Sequence, residues 1–216
     1  LSGIKSVTMG IFVGAGSADE NNNNNGISHY IEHMLFKGTK KRSAFDIADS
    51  IDSIGAQINA FTTKEVTCYY TKSITEHAEK TFEILSDIFL NSTFDQKESE
   101  KEKKVIFEEI AMVEDRPDDI CVDSLATAFF GNNFLGKTIL GTKETVGDLS
   151  NEDVKEYMQK YYIPSNTVIT VAGSLKPADA EKLAEKYFAS VFNSGKGEIV
   201  REKPRKVKPK QIDRFK

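Results

Sequence analysis

His29-Tyr30-Ile31-Glu32-His33-Met34-Leu35-Phe36-Lys37-Gly38 is the stretch on which the fold and the chemistry of this 216-residue chain turn. From Ile27 onward the apolar residues Ile27, Tyr30, Ile31, Met34 and Leu35 recur at three- and four-residue steps. That spacing predicts a helix over 27–37 that Gly38 ends. On such a helix His29 and His33 stand about 40° apart and one turn up, and Glu32 lies about 60° to the other side of His29. Both imidazoles can therefore face one ion, while the apolar residues fall on the opposite side.

Only three histidines occur in the chain, and two of them stand in this H-x-x-E-H order. The order has a mechanical reading, in which two histidines hold zinc and the glutamate serves as base toward an activated water. The blander reading of a lone histidine pair is a solvated polar face, and the glutamate in its slot favours the metal. Zinc in a hydrolytic site takes three protein ligands and keeps the fourth position open, so a third donor is required. Composition cannot choose it among 33 acids. On the helix predicted over 95–114, Val105, Ile106, Ile110 and Val113 mark the expected buried side. Glu102 and Glu109, seven apart, share a stripe bordered by Val105, and Glu108 points elsewhere. An acid on such a helix is more often solvated than a ligand, so spacing alone leaves the third donor open.

Outward from the motif, Val7, Met9, Ile11 and Val13 alternate as a strand. Gly14 to Ser17 and the run Asn21 to Asn25 read as a mobile loop. Ser43 with Asp46 opens a second helix carrying Ile47, Ile51 and Ile54 inward to Gly55. Residues 56–61 and 65–71 read as a strand pair. Helices are predicted over 75–89 on the Ala78, Phe82, Leu85, Phe89 stripe, over 117–130 from a leading proline, over 150–161 from Ser150 with Asp153, and over 177–191. A β-branched strand spans 167–172. The layout is α+β, a mainly antiparallel sheet packed against helices. Cys68 and Cys121 read as core residues and His77 as a surface residue.

Hydrophobic residues make up 39% and charged residues 29% of the chain, and no apolar run approaches the ~18 residues of a membrane span. A net charge of -4 gives no general reason to bind a polyanion, so nucleic acid is excluded as an expected partner. Two cysteines make neither a disulfide scaffold nor a four-cysteine zinc site, and are compatible with a reducing compartment. Residues 201–216 carry eight Lys or Arg against two acids. With Pro204 and Pro209 interrupting any helix, they read as a solvated basic linker. Both ends read as cuts through a longer polypeptide.

His29-Tyr30-Ile31-Glu32-His33-Met34-Leu35-Phe36-Lys37-Gly38-Thr39 resembles the insulinase, pitrilysin and mitochondrial-processing-peptidase family, the inverzincins. So do Gly14-Ala15-Gly16-Ser17, Asn59-Ala60-Phe61-Thr62 with Glu65 and Tyr69, Val105-Ile106-Phe107-Glu108-Glu109-Ile110, and Leu135-Gly136-Lys137-Thr138-Ile139-Leu140-Gly141-Thr142. The resemblance spans nearly the whole chain. It implies a metallopeptidase domain of the processing-peptidase type, a zinc cofactor held by His29, His33 and Glu109, and Glu32 as the catalytic base. Glu102 is then the acid that supports the ligands from behind. It also implies an edge strand at Asn59, Ala60, Phe61 and Thr62 that takes up a peptide substrate as an extra strand. Residues 1–200 become the zinc-binding catalytic domain, and 201–216 the linker towards a homologous carboxy-terminal domain of the same chain; a homodimer is a further option. The implied activity is zinc-dependent endopeptidase action on extended or unfolded peptides, weak or absent without the second domain. The rival is a noncatalytic peptide-binding subunit of a processing-peptidase complex. The default location is cytoplasmic.

Overall fold

The computed structural model describes residues 3–131, 133–192 and 199; the basic stretch 201–216 lies outside them. Strand β1 (Ser6–Val13) runs through the middle of a four-stranded sheet whose other members are β2 (Gln57–Thr62), β3 (Thr67–Ile74) and β4 (Thr167–Gly173). The order is β2-β3-β1-β4, and every neighbouring pair is antiparallel. Register places Ile11 between Tyr69 and Ile169, and Met9 between Thr71 and Val171. The alternation read from sequence thus holds: Val7, Met9, Ile11 and Val13 are at most 1% exposed. Each such side chain removed from water is worth roughly 1.5–3 kcal/mol. The other face of the sheet is more open, with Phe61 packed against Phe12 and Tyr70 yet 43% exposed.

The inner face is covered by α1 (Ile27–Leu35) and α3 (Ala78–Asn91), both packed on β3. Helix α1 turns Ile27, Tyr30, Ile31, Met34 and Leu35 into the core, the side opposite its histidines. It ends at Leu35 rather than at Gly38, whose φ of 128° serves the turn that pairs it with Ser43. Helix α2 (Ala44–Asp52) starts at a reciprocal Ser43–Asp46 capping box and buries Ile47 and Ile51. On α3, Ala78, Phe82, Leu85 and Phe89 are all buried.

Helix α4 (Gln96–Glu114) packs on α1, and α5 (Pro117–Phe130), α6 (Lys143–Asp148), α7 (Asn151–Tyr161) and α8 (Pro177–Phe192) are the remaining α-helices among the described residues. The predicted bounds of α5 and α7 match, the latter with its Ser150–Asp153 box. Helix α6 was not expected; its Thr142–Thr145 cap is a weaker signal than a serine facing an acid.

Four expectations change. Val105 is 45% exposed, and α4 instead buries Ser99, Glu102, Ile106 and Ile110. The inward stripe therefore includes an acid that hydropathy alone assigns to solvent. Cys121 is exposed, although Cys68 is buried, because α5 buries none of its residues fully. His77 is only half-buried, at the start of α3. The asparagine run is a hydrogen-bonded turn: Asn21 Oδ1 accepts from the Asn23 and Asn24 amides, Asn24 Oδ1 accepts from the Asn21 amide, and Asn25 is buried.

Candidate metal centre

Two helices and one strand end build the site. From α1 come His29, Glu32 and His33, from α4 come Glu102 and Glu109, and from β2 comes Thr62. The packing of α4 on α1 is pinned at two levels. Tyr30 donates its buried hydroxyl proton to Ser99 Oγ at 2.6 Å. One turn on, His33 Nδ1 meets Glu102 Oε1 at 2.8 Å, and Lys37 Nζ meets Glu102 Oε2 at 2.7 Å. Since Ser99, Glu102 and Ile106 share the inward stripe of α4, the same register brings Glu109 over the two imidazoles.

The three expected donors converge. His29 Nε2 and His33 Nε2 are 3.2 Å apart, and each is 3.6 Å from Glu109 Oε2. Four-coordinate zinc with ligands at about 2.0–2.1 Å separates adjacent ligand atoms by roughly 3.3–3.4 Å. The triangle is therefore one face of a tetrahedron of the right size, with two imidazoles and one carboxylate as its corners. Among the described residues this trio is the group of His, Cys, Asp or Glu close enough to hold an ion. The donor set and the spacing fit zinc.

Electrostatics divide the two histidines. Burial, reinforced by His33, pushes the His29 pKa down to about 3 against the pull of Glu102. Its ring is thus neutral, as a ligand must be. For His33, burial also pushes down, but the bond to Glu102 and the charges of Glu109, Glu102 and Glu32 outweigh it and the pKa rises. Because the Glu102 carboxylate can only accept at Nδ1, the neutral form of His33 carries its proton on that nitrogen and leaves the Nε2 lone pair facing the site. His29 Nδ1 is buried with no hydrogen-bond partner among the described residues. Glu102 is itself held below the usual carboxylate range: burial raises it, and His33 and Lys37 more than compensate.

Glu32 lies beside the triangle. Burial moves its carboxyl up, the Thr62 hydrogen bond and the charge of His33 move it down, the charge of Glu109 adds to the rise, and the net shift is upward. Thr62 donates its hydroxyl proton to Glu32 Oε2. Asn59, Ala60, Phe61 and Thr62 all lie on β2, an edge strand of the sheet that pairs only with β3 among the described strands. The Ala60 amide is taken by Asn59 Oδ1 at 2.8 Å.

Sequence reasoning missed two participants, Lys37 and Ser99, and one contact between residues it had named. Lys37 stands four residues after His33, on one stripe of the helix predicted over 27–37, so its approach to Glu102 had a spacing signal even though α1 itself ends at Leu35. Ser99 stands three before Glu102 and had the same signal. The Thr62–Glu32 bond joins residues far apart in sequence and had none.

A family model described as "Insulinase (Peptidase family M16)" matches residues 2–143, and one described as "Peptidase M16 inactive domain" matches residues 148–216. The boundary between the two matches does not divide the sheet, since β4 pairs along β1. The Bacillus subtilis (strain 168) protein named "Uncharacterized zinc protease YmxG" is 48% identical over 193 residues, 89% of this chain and 47% of that protein. The Bos taurus mitochondrial-processing peptidase subunit beta is 38% identical over 198 residues, 92% of this chain and 40% of the other. The chain thus spans less than half the length of these curated relatives. Among solved structures, a protease from Helicobacter pylori superposes with a TM-score of 0.86 at 23% identity, covering 97% of this chain and 50% of that one. A peptidase M16 inactive domain from Pseudomonas fluorescens gives 0.85 at 18%, covering 95% and 50%. These two likenesses show the fold alone. With its motif helix, its sheet order and two thirds of its length under one family model, the chain belongs to the insulinase family of peptidases.

Proposed function

We propose that this chain is the metal-binding, catalytic part of a zinc-dependent endopeptidase that hydrolyses extended or unfolded peptides. The observation that carries the reading is the convergence of His29, His33 and Glu109 at 3.2–3.6 Å with Glu32 alongside. His29, His33 and Glu109 would hold zinc, and Glu102 would keep His33 in the ligating tautomer. When bound, zinc supplies a Lewis acid that polarises a peptide carbonyl and acidifies a water. Glu32 accepts the proton at Oε1, the oxygen that Thr62 leaves free, and passes it to the leaving amine. Strand β2, at the sheet edge, would hold the peptide by main-chain pairing, which tolerates many side chains. The complete donor set argues against the noncatalytic-subunit reading. Since the relatives named are about twice as long, a homologous carboxy-terminal domain would close over the site and supply further contacts.

The test uses the full-length protein: zinc content by elemental analysis, and cleavage of an unstructured peptide with and without chelator. Stoichiometric zinc, chelator-sensitive cleavage, and a Glu32→Gln variant that keeps zinc but loses cleavage are expected. A Gln variant that cleaves normally would refute the role of Glu32, and a wild-type protein without metal would refute the reading as a whole.

A further inference from the structure

We infer that Glu20, which lies outside the H-x-x-E-H motif, is the positioning residue for the amino-terminal end of α1 and, through it, for His29. Its functional meaning rests on the metallopeptidase reading; its geometry stands by itself. Helix α1 has no cap of its own, because its N-cap is Gly26, at φ 97°, with no side chain to accept a bond. A helix start leaves its first N–H groups without intrahelical partners. Glu20, 5% exposed, supplies the acceptors from the preceding loop. Its Oε2 accepts from the Gly26 amide at 2.7 Å and from Asn25 Nδ2 at 2.7 Å, and its Oε1 accepts from the Ser28 amide at 2.9 Å. A negative charge at this end also complements the helix dipole.

Ser28 immediately precedes His29, and here the asymmetry between the two histidines matters. The ring of His33 is oriented by Glu102, whereas His29 Nδ1 has no hydrogen-bond partner among the described residues. The direction of His29 is therefore set by where its backbone sits, and that backbone is held by Glu20. The loop is locked from the opposite side. Lys137 Nζ donates to the Glu20 carbonyl at 2.6 Å, Asn25 Nδ2 donates to the Thr138 carbonyl at 3.0 Å, and Thr145 donates to the Asn25 carbonyl at 2.7 Å. Gly141, at φ 73°, lies so close that a Cβ there would fall 2.3 Å from the Asn25 carbonyl oxygen. The Leu135 to Thr142 segment, together with Thr145 at the start of α6, thus serves as the clamp that holds the Glu20 loop on α1.

Glu20→Gln in the full-length protein is the test. The substitution keeps the shape, removes the charge, and turns an amide NH₂ towards amides that need an acceptor. In the metal-free protein, hydrogen exchange at residues 26–29 should accelerate roughly tenfold or more, as expected for about 1.4 kcal/mol of lost hold, with 99–109 unchanged. Zinc affinity by chelator competition should fall roughly 10–100-fold, and the visible spectrum of the Co²⁺-loaded protein should change. Asp87→Asn, at a buried carboxylate away from the site, should lower stability yet keep the Co²⁺ spectrum. Should Glu20→Gln fail to fold, Asn25→Ala, which removes one donor to Glu20, should give the same changes at smaller size. Wild-type exchange over 26–29 in whichever variant folds, or wild-type affinity and spectrum, overturns the inference. If the wild-type protein binds neither Zn²⁺ nor Co²⁺, the metallopeptidase reading falls, and the exchange result alone decides whether Glu20 holds the helix.

Discussion

Glu102 accepts from His33 Nδ1 at 2.8 Å through one oxygen and pairs with Lys37 Nζ at 2.7 Å through the other. A carboxylate 5% exposed is thereby satisfied on both oxygens, by His33 on α1 and by Lys37 in the turn that follows it. Its charge fixes which nitrogen of His33 carries the proton. Glu102→Ala should leave the His33 ring free to flip and the Lys37 ammonium unpaired. Zinc affinity should drop roughly 10–100-fold, measured by competition with a chromophoric chelator, with His29 and Glu109 still in place. Unchanged affinity would show that α4 backbone packing alone orients His33.

The Tyr30–Ser99 bond sets the register in which Glu102 and Glu109 reach α1. Tyr30→Phe removes the donor and should cost about 0.5–1.5 kcal/mol in urea unfolding. The double variant with Ser99→Ala should lose less than the sum of the single variants, because each removes the same contact. Strict additivity would mean that the two hydroxyls are not coupled.

The site was half legible before any coordinates. The faces of α1 could be read because apolar residues and ligands obey one period, and Ser43 and Ser150 announced helix starts by local chemistry. The inward stripe of α4 was misjudged at Val105 because burial there follows polar partners: Glu102 is drawn inside by His33 and Lys37, and Ser99 by Tyr30. The third ligand stayed open for the same reason, since nothing in α4 itself states which acid faces α1. The role of Glu20 was hidden because it acts at the start of a helix six residues further on.

Gly26 and Gly141 meet where the Glu20 loop passes the clamp. At Gly26, φ is 97°, and an added Cβ would lie 2.6 Å from the Leu140 carbonyl oxygen. Gly26→Ala therefore combines a left-handed backbone with a collision against main chain. The loss should exceed about 1 kcal/mol, read from the urea midpoint. A neutral outcome would mean that the 140–141 segment can retreat without cost.

The two thiols should separate cleanly. Cys68 is 1% exposed, and burial, with the Glu32 charge adding, pushes its pKa up to about 11. Cys121 is exposed on α5. One equivalent of a thiol-reactive dye should react promptly at neutral pH and map to Cys121, with Cys68 modified only after unfolding. Prompt labelling of both would contradict the packing of β3 against β1 and β2.

Acid stability offers a test away from the metal. Asp87, 3% exposed, accepts from Thr39 Oγ1 at 2.8 Å, Arg42 Nη1 at 2.6 Å and Asn91 Nδ2 at 2.9 Å. Burial raises its pKa, but these donors outweigh burial and the net shift is downward. A carboxyl whose folded pKa lies below its unfolded value adds stability that is fully present above the unfolded pKa, about 3.9. That contribution is lost as pH falls through the folded value. Asp87→Asn keeps the size, removes the charged acceptor, and should cost about 1–3 kcal/mol at neutral pH. The gap between wild type and variant, followed by urea unfolding, should stay constant from pH 7 down to about 5 and narrow below about 4. A gap that persists at the lowest pH at which both still fold would mean that Asp87 acts through shape and neutral hydrogen bonding, with its charge contributing nothing.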